Sequence, residues 1–340
     1  MKPGDSMKKV LVVGGAGYCG SVLVPQLLDE GWDVTVYDIL KWYGDDHLPK
    51  SNPKLRILQG DVRDTAKVAE ACKGQHALLH LACISNDASF ELDEHLSTSV
   101  NLESFEPLVV AAKKAGIRRF VFASSSSVYG VSDSPNVTED HPLVPLTLYN
   151  KYKGMCEPLL LRHTDANFVG VIFRPATVCG YAPRQRLDLS VNILTNHAVN
   201  KGKIMVFGGS QLRPNLHVQD YADLCKLLLT APEEKIANQV FNCGMQNLSI
   251  LEIAKIVKRV VEREFPGKGD IPIEITSSND NRSYHINSDK IRKVLGFVPR
   301  YTIEDAVRGL CEAFRQGKLP NSFDDDRYYN VRTMKAAGAK

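Results

Sequence analysis

The chain has 340 residues, with 42 Lys and Arg against 39 Asp and Glu, for a formal charge of +3. That length suggests about two compact units, and a balanced charge without a basic run or basic-aromatic stripe excludes nucleic acid as a partner. No run reaches the ~18 apolar residues of a membrane span and no secretory h-region is present, so a cytoplasmic protein is expected.

Residues 1–6 read as a short extension ahead of Met7, which stands just before the first strand. From Lys8 onward, β-branched runs at 10–13, 34–37, 55–58, 77–81 and 120–123 alternate with helical patterns, and 168–173 and 239–242 look like further strands. Strand alternating with helix gives βαβ units. Runs that are nearly all apolar suit strands covered on both faces, so the expected fold is α/β with a doubly wound parallel sheet.

Beyond about Pro175 the pattern loosens into loops, with later helices at Ile250–Glu264 and Ile303–Arg315. The reading is a dinucleotide-binding unit over 7–180 and 216–248, with a smaller interleaved substrate unit over 181–215 and 249–325. Residues 326–340 are taken as an extension, and the polar stretch 320–340 as irregular. The eight cysteines are scattered, form no CxxC and mostly sit in apolar runs, so they read as reduced core residues. No metal site is expected, because histidines and cysteines never approach zinc-ligand spacing.

The first strand runs into Gly14-Gly15-Ala16-Gly17-Tyr18-Cys19-Gly20, a GxxGxxG arrangement opening a helix that carries Val22, Leu23, Leu27 and Leu28. Without side chains there, a pyrophosphate can approach the backbone, and the helix N-terminus offers N–H groups and a positive dipole end. A tight turn alone would also use glycines. Asp38 decides between the two: it ends the second strand about 20 residues later, where a carboxylate accepts ribose hydroxyls and repels a 2′-phosphate. The Rossmann reading follows, with NAD preferred over NADP. Asp61-Val62, after the third strand, would sit near the adenine, or Asp61 serves as a helix cap.

Tyr149 and Lys153 are spaced i,i+4 and share one helix face. The run Ser124-Ser125-Ser126-Ser127-Val128-Tyr129-Gly130 follows a core strand whose C-terminal end faces the cofactor crevice. A phenol with a reference pKa near 10 becomes a base at neutral pH only if the phenolate gains about 4 kcal/mol of differential stabilisation. An adjacent ammonium and an oxidised nicotinamide can supply it.

These motifs, with His80-Leu81-Ala82, Asn101 before a helix and Arg174-Pro175 through Gly180, resemble the extended short-chain dehydrogenase/reductases of the nucleotide-sugar epimerase and dehydratase group. The resemblance spans residues 8 to about 316. It implies catalytic Ser125, Tyr149 and Lys153, with Ser125 the serine three positions before Val128. It further implies cofactor contacts at Gly14, Gly17, Tyr18, Cys19, Asp38, Asp61, Val62, Leu81, Ala82, Cys83, Asn101, Ser124, Tyr149, Lys153 and Pro175. Cys19 and Cys179 depart from the family's usual Ile and Tyr and read as packing residues. Pro158 should kink or shorten the tyrosine helix, beyond Lys153. A homodimer formed through the helices beside Asn101 and Tyr149 is the family's expectation.

On the substrate side the resemblance places Arg213 and Arg282 on the nucleotide diphosphate, for which a guanidinium fork is suited; salt bridging between the units is the competing reading. Arg184 and Asn192, in a segment like that of one family subgroup, are candidates beside the nucleotide and sugar. Ser85, in Ser85-Asn86-Asp87, reaches either the sugar or only the following helix, and Ser126 and Thr177 complete the candidate contacts. Family dehydratases carry an Asp-Glu pair after the catalytic hydroxyl, whereas Ser126 and Ser127 stand here. A hydroxyl does not shuttle the C5 proton that elimination needs, so the expectation is NAD-dependent 4-epimerisation of a nucleotide-diphosphate sugar through a transient 4-keto sugar. The alternatives are a 4-dehydrogenase, ketosugar reductase or dehydratase of the same family, and a catalytically silent dinucleotide-binding regulator.

Overall fold

The computed structural model of the chain describes residues 8–85, 87–278 and 283–338. In β1 (Lys9–Val13), Val10 and Val12 join one apolar cluster and Leu11 and Val13 another. Successive residues of a strand point to opposite faces, so an unbroken apolar run places this strand between two layers of helix.

The large sheet is built from β1, β2 (Asp33–Asp38), β3 (Leu55–Gln59), β4 (Ala77–His80), β5 (Arg119–Ala123), β6 (Val169–Pro175) and β10 (Gln239–Cys243). Its order is β10-β6-β5-β4-β1-β2-β3, and every pairing is parallel. The helices Gly20–Asp29 and Val218–Thr230 cover one face through Leu23, Leu27, Leu224 and Leu228. The helices Thr65–Cys72, Phe105–Lys114 and Leu148–Leu161 cover the other through Val68, Leu108 and Leu160. Each such buried aliphatic side chain contributes about 1.5–3 kcal/mol. The strand order reverses between β1 and β4, and open α/β sheets bind ligands beyond the strand ends at such a switch point.

Two small sheets lie outside this layer stack. β7 (Thr177–Cys179) pairs parallel with β9 (Leu212–His217), which pairs antiparallel with β11 (Gln246–Ser249); β8 (Ile204–Phe207) pairs parallel with β12 (Ile273–Thr276). Beside them the helices Ser190–Lys201, Ile250–Glu264 and Ile303–Arg315 share a separate core that includes Val191, Val257 and Val307. Ser249 with Glu252, and Thr302 with Asp305, form capping boxes that start the last two of these helices where the sequence places them.

The tail differs from its reading as irregular. Asp326–Tyr328 forms a 3-10 turn, and a helix over Asn330–Ala336 buries Asn330, Thr333 and Met334. Met334 packs against Ile84, so tertiary burial supplies what a polar sequence lacks. Among the described residues no helix is long and apolar enough to cross a membrane.

Candidate active site

The ends of β1, β2, β4, β5 and β6 open into one cavity of about 720 Å³, whose wall includes Gly14, Asp38, Leu81, Ser124 and Pro175. β1 leaves the sheet at Gly14, where φ is +82°; a Cβ there would also lie 2.5 Å from the Ala82 backbone nitrogen. Gly14 therefore serves both the left-handed turn and the close approach of the β4 loop. That loop is held in return, because the N–H groups of Leu81 and Ala82 donate to the Val13 carbonyl at 2.8 and 2.9 Å. Gly17, Tyr18, Cys19, Ala82 and Cys83 lie on the same wall.

Asp38 accepts from the Ala16 N–H at 3.0 Å and the Leu40 N–H at 3.1 Å. Burial pushes its carboxyl above the usual carboxylate range, while those N–H groups and the Arg184 guanidinium pull it back. Asp61 and Val62 also line the cavity. Asp61 is gripped by Arg63, whose Nη2 lies 2.7 Å from it, and the cap of the following helix is Asp64 instead. Glycine loop, helix start, the Asp38 carboxylate and the Asp61-Val62 turn thus share one crevice, and these residues fit a dinucleotide.

The hydroxyl side is built on β5 and the tyrosine helix Leu148–Leu161. Thr147 caps this helix by accepting from the Asn150 N–H, and its hydroxyl donates to Asp87 at 2.6 Å. Tyr149 and Lys153 lie on the cavity wall with Ser125 and Ser126. Lys153 Nζ donates to the Ala123 carbonyl at 2.8 Å. The Ser125 hydroxyl is 2.7 Å from that of Ser127, and Ser127 donates to Asn150, the neighbour of Tyr149. One chain of hydrogen bonds therefore ties the serine turn to the turn carrying the phenol.

Behind this wall stands a buried polar network. Ser124 donates to Glu157 at 2.6 Å, and Glu157 is ion-paired with Arg174 at 2.6 Å. Arg174 also donates to the Tyr129 hydroxyl at 2.6 Å, which donates to Asn242. Pro158 neither ends nor shortens the helix at its own position: the helix runs on to Leu161, and the Pro158 carbonyl accepts from the Arg162 N–H at 3.1 Å. A proline lacks a donor but not an acceptor, so the bonds beyond it form normally.

Burial pushes the Tyr149 phenol well above its ordinary value, and Cys83 and Asp87 act in the same direction. The charge that opposes them is Arg186. This arginine, which the sequence reading passed over beside Arg184, is buried, ion-paired with Asp188 at 2.9 Å and donates to Ser85 at 3.2 Å. The alternation Arg184-Gln185-Arg186 is its only signal in the sequence, and a loop has no fixed period to say which side chain faces inward.

Of the proposed substrate contacts, Ser85, Ser126, Thr177, Arg184 and Arg213 line the cavity. Thr177 lies 3.3 Å from the Tyr284 hydroxyl, and Arg213 faces the Tyr284 ring at 5.4 Å. Arg282 and Asn86 fall outside the described residues. Two asparagines do not line the cavity. Asn101 spends its amide on Ile84, accepting from its N–H and donating to its carbonyl, both at 2.9 Å. Asn192 is fully buried, accepting from Gly180 N–H and donating to Arg186 O and Tyr18 Oη. Both satisfy backbone groups of cavity loops and so brace those loops. The tail, unassigned to the site by sequence, adds Asn330, Val331 and Met334 to the wall.

The family model described as "NAD dependent epimerase/dehydratase family" matches residues 10–244. A UDP-glucose 4-epimerase from Lactobacillus helveticus is 31% identical over 93% of this chain and 99% of its own length. A dTDP-glucose 4,6-dehydratase from Streptomyces griseus is 28% identical over 88% of this chain and 91% of its own. Among solved structures, MoeE5 in complex with UDP-glucuronic acid and NAD is similar with a TM-score of 0.78 and 28% identity, covering 91% of this chain and 99% of MoeE5.

Proposed function

Because the chain belongs to the NAD-dependent epimerase/dehydratase family, we propose that it inverts C4 of a nucleotide-diphosphate sugar, with NAD as its resident cofactor. The observation that carries this reading is the shared wall: Ser125, Tyr149 and Lys153 border the same cavity as the glycine loop and Asp38. NAD, when bound, supplies a hydride acceptor that can return the hydride and, in its oxidised form, a positive charge.

Tyr149 takes the proton from the C4 hydroxyl as that carbon is oxidised and gives it back after the 4-keto sugar has turned its other face. Ser125 holds the sugar oxygen and shares the charge that develops on it. Lys153 and Arg186 favour the phenolate against the burial that opposes it. Arg213 is assigned to the diphosphate, with Ser85, Ser126 and Thr177 around the sugar.

Epimerisation is preferred to dehydration on the carboxylates. Ser126 and Ser127 follow Ser125, and the carboxylates on the cavity wall near the phenol are already engaged, Asp87 by Thr147 and Asp188 by Arg186. The Lactobacillus relative's name and the NAD and nucleotide sugar bound to MoeE5 support the same class. A role in carbohydrate biosynthesis in the cytoplasm belongs to this reading. So does a homodimer, which the exposed Val144, Leu146 and Met155 on and beside the tyrosine helix would suit.

Incubation of the purified protein with UDP-, GDP-, CDP- and dTDP-hexoses tests the reading. A C4 epimer from at least one of them is expected, without net NADH. Accumulation of NADH instead would make the chain a dehydrogenase.

A further inference from the structure

Arg184 lies in the segment 180–189, between β7 and the helix Ser190–Lys201. Its guanidinium is buried, 3.4 Å from the centroid of the Tyr43 ring, and donates through Nη2 to Asn330 Oδ1 at 2.8 Å. Its Nε has no hydrogen-bond partner among the described residues, and no carboxylate there lies within ion-pairing distance of it. Arg186, two residues on, is paired with Asp188. Burial pulls the pKa of Arg184 down to about 10, so it stays cationic at neutral pH. A buried cation with an unused donor is costly unless an anion completes it.

Position identifies that anion. The Arg184 backbone N–H donates to Ser21 Oγ at 3.2 Å, in the first turn of the helix that follows the glycine loop. Its charge also reaches Asp38, the carboxylate at the ribose end. A guanidinium offering a charge and an N–H matches a phosphate oxygen. Tyr43 follows β2, and Asn330 begins the C-terminal helix while also donating to Ser85 at 2.9 Å. Three separate segments of the chain thus meet over the cofactor end of the cavity.

We propose that Arg184, held between Tyr43 and Asn330, clasps a phosphate of the bound dinucleotide and retards its release. The inference rests on the NAD reading and moves Arg184 from the sugar nucleotide to the cofactor. An enzyme that must return the hydride it removed is served by a cofactor that stays in place between the two half-reactions. The C-terminal helix, through Asn330, becomes part of cofactor retention.

The test uses NADH as probe: the protein is loaded with NADH, excess NAD is added, and release is followed by fluorescence. Arg184→Gln, which keeps a donor but loses the charge, is expected to release NADH about tenfold faster or more. Arg184→Lys, which keeps the charge without the fork, should fall between it and the parent, and Asn330→Ala should release a few-fold faster. Arg184→Lys also keeps the test open should Arg184→Gln fail to fold. The KM for UDP-glucose should rise less than the release rate. Release at the parent rate from both Arg184 variants overturns the proposal, and a raised KM for UDP-glucose alongside it would give Arg184 to the substrate's diphosphate. Faster release from Arg184→Gln, in a protein that epimerises no sugar, would sink the C4 reading while upholding the clasp.

Discussion

Lys153 and Ala123 are joined across the cavity wall: the ammonium donates to the carbonyl oxygen of the last residue of β5 over 2.8 Å. The second turn of the tyrosine helix is thereby fixed to the strand that delivers Ser125. On the proposed mechanism the same side chain also supplies a positive charge to the phenolate. Lys153→Met removes both, and turnover should fall by ~10²-fold. Steady-state kinetics on the substrate found in the nucleotide-sugar panel checks this; turnover within twofold of the parent would free Lys153 from the mechanism.

Arg186 gives a pH prediction with a definite sign. Its positive charge favours the Tyr149 phenolate against burial, and losing it disfavours ionisation. In Arg186→Gln the phenol's pKa therefore rises further, and the limb of kcat that climbs with pH moves to higher pH. Activity lost at neutral pH should return in part under alkaline conditions. A pH-rate profile that drops uniformly without moving would assign Arg186 to binding alone.

The large sheet was legible because parallel strands buried on both faces carry unbroken apolar runs, and Val10 to Val13 is such a run. The helices Ile250–Glu264 and Ile303–Arg315 were legible through their periodicity and their Ser249 and Thr302 caps. The C-terminal helix was not, since Asn330 and Thr333 bury polar groups that only tertiary partners satisfy. In the site, residue type gave no sign of the bracing bonds made by Asn101 and Asn192. An amide suited to a ligand is equally suited to bracing Ile84 or Gly180, and local sequence does not distinguish the two uses. Arg186 was missed for the complementary reason, that it differs from Arg184 only in which way a loop turns it.

The pair Glu157 and Arg174 supports the serine wall from behind, with side chains only 5% and 6% exposed. Glu157→Gln leaves a buried guanidinium without its counter-charge, which costs about 3 kcal/mol. A lowered denaturation midpoint with an unchanged slope is expected. A stability change below about 0.5 kcal/mol would show that the network carries little of the fold's stability.

Asp38 reads the ribose in this account. Asp38→Ala should weaken NAD more than NADP, because a carboxylate accepts from the 2′-hydroxyl and repels a 2′-phosphate. Titration of the cofactor-free variant with both dinucleotides measures the ratio. Equal weakening of the two would mean that another residue makes the distinction.

Reversible oxidation at C4 by way of Tyr149 leaves a signature that conversion of the nucleotide sugar in D₂O reads out. The expected product is a C4 epimer with no deuterium on carbon, and Tyr149→Phe should lose ~10²-fold or more in that conversion with dinucleotide binding retained. Deuterium at C5, or a Tyr149→Phe protein that turns over like the parent, would contradict it.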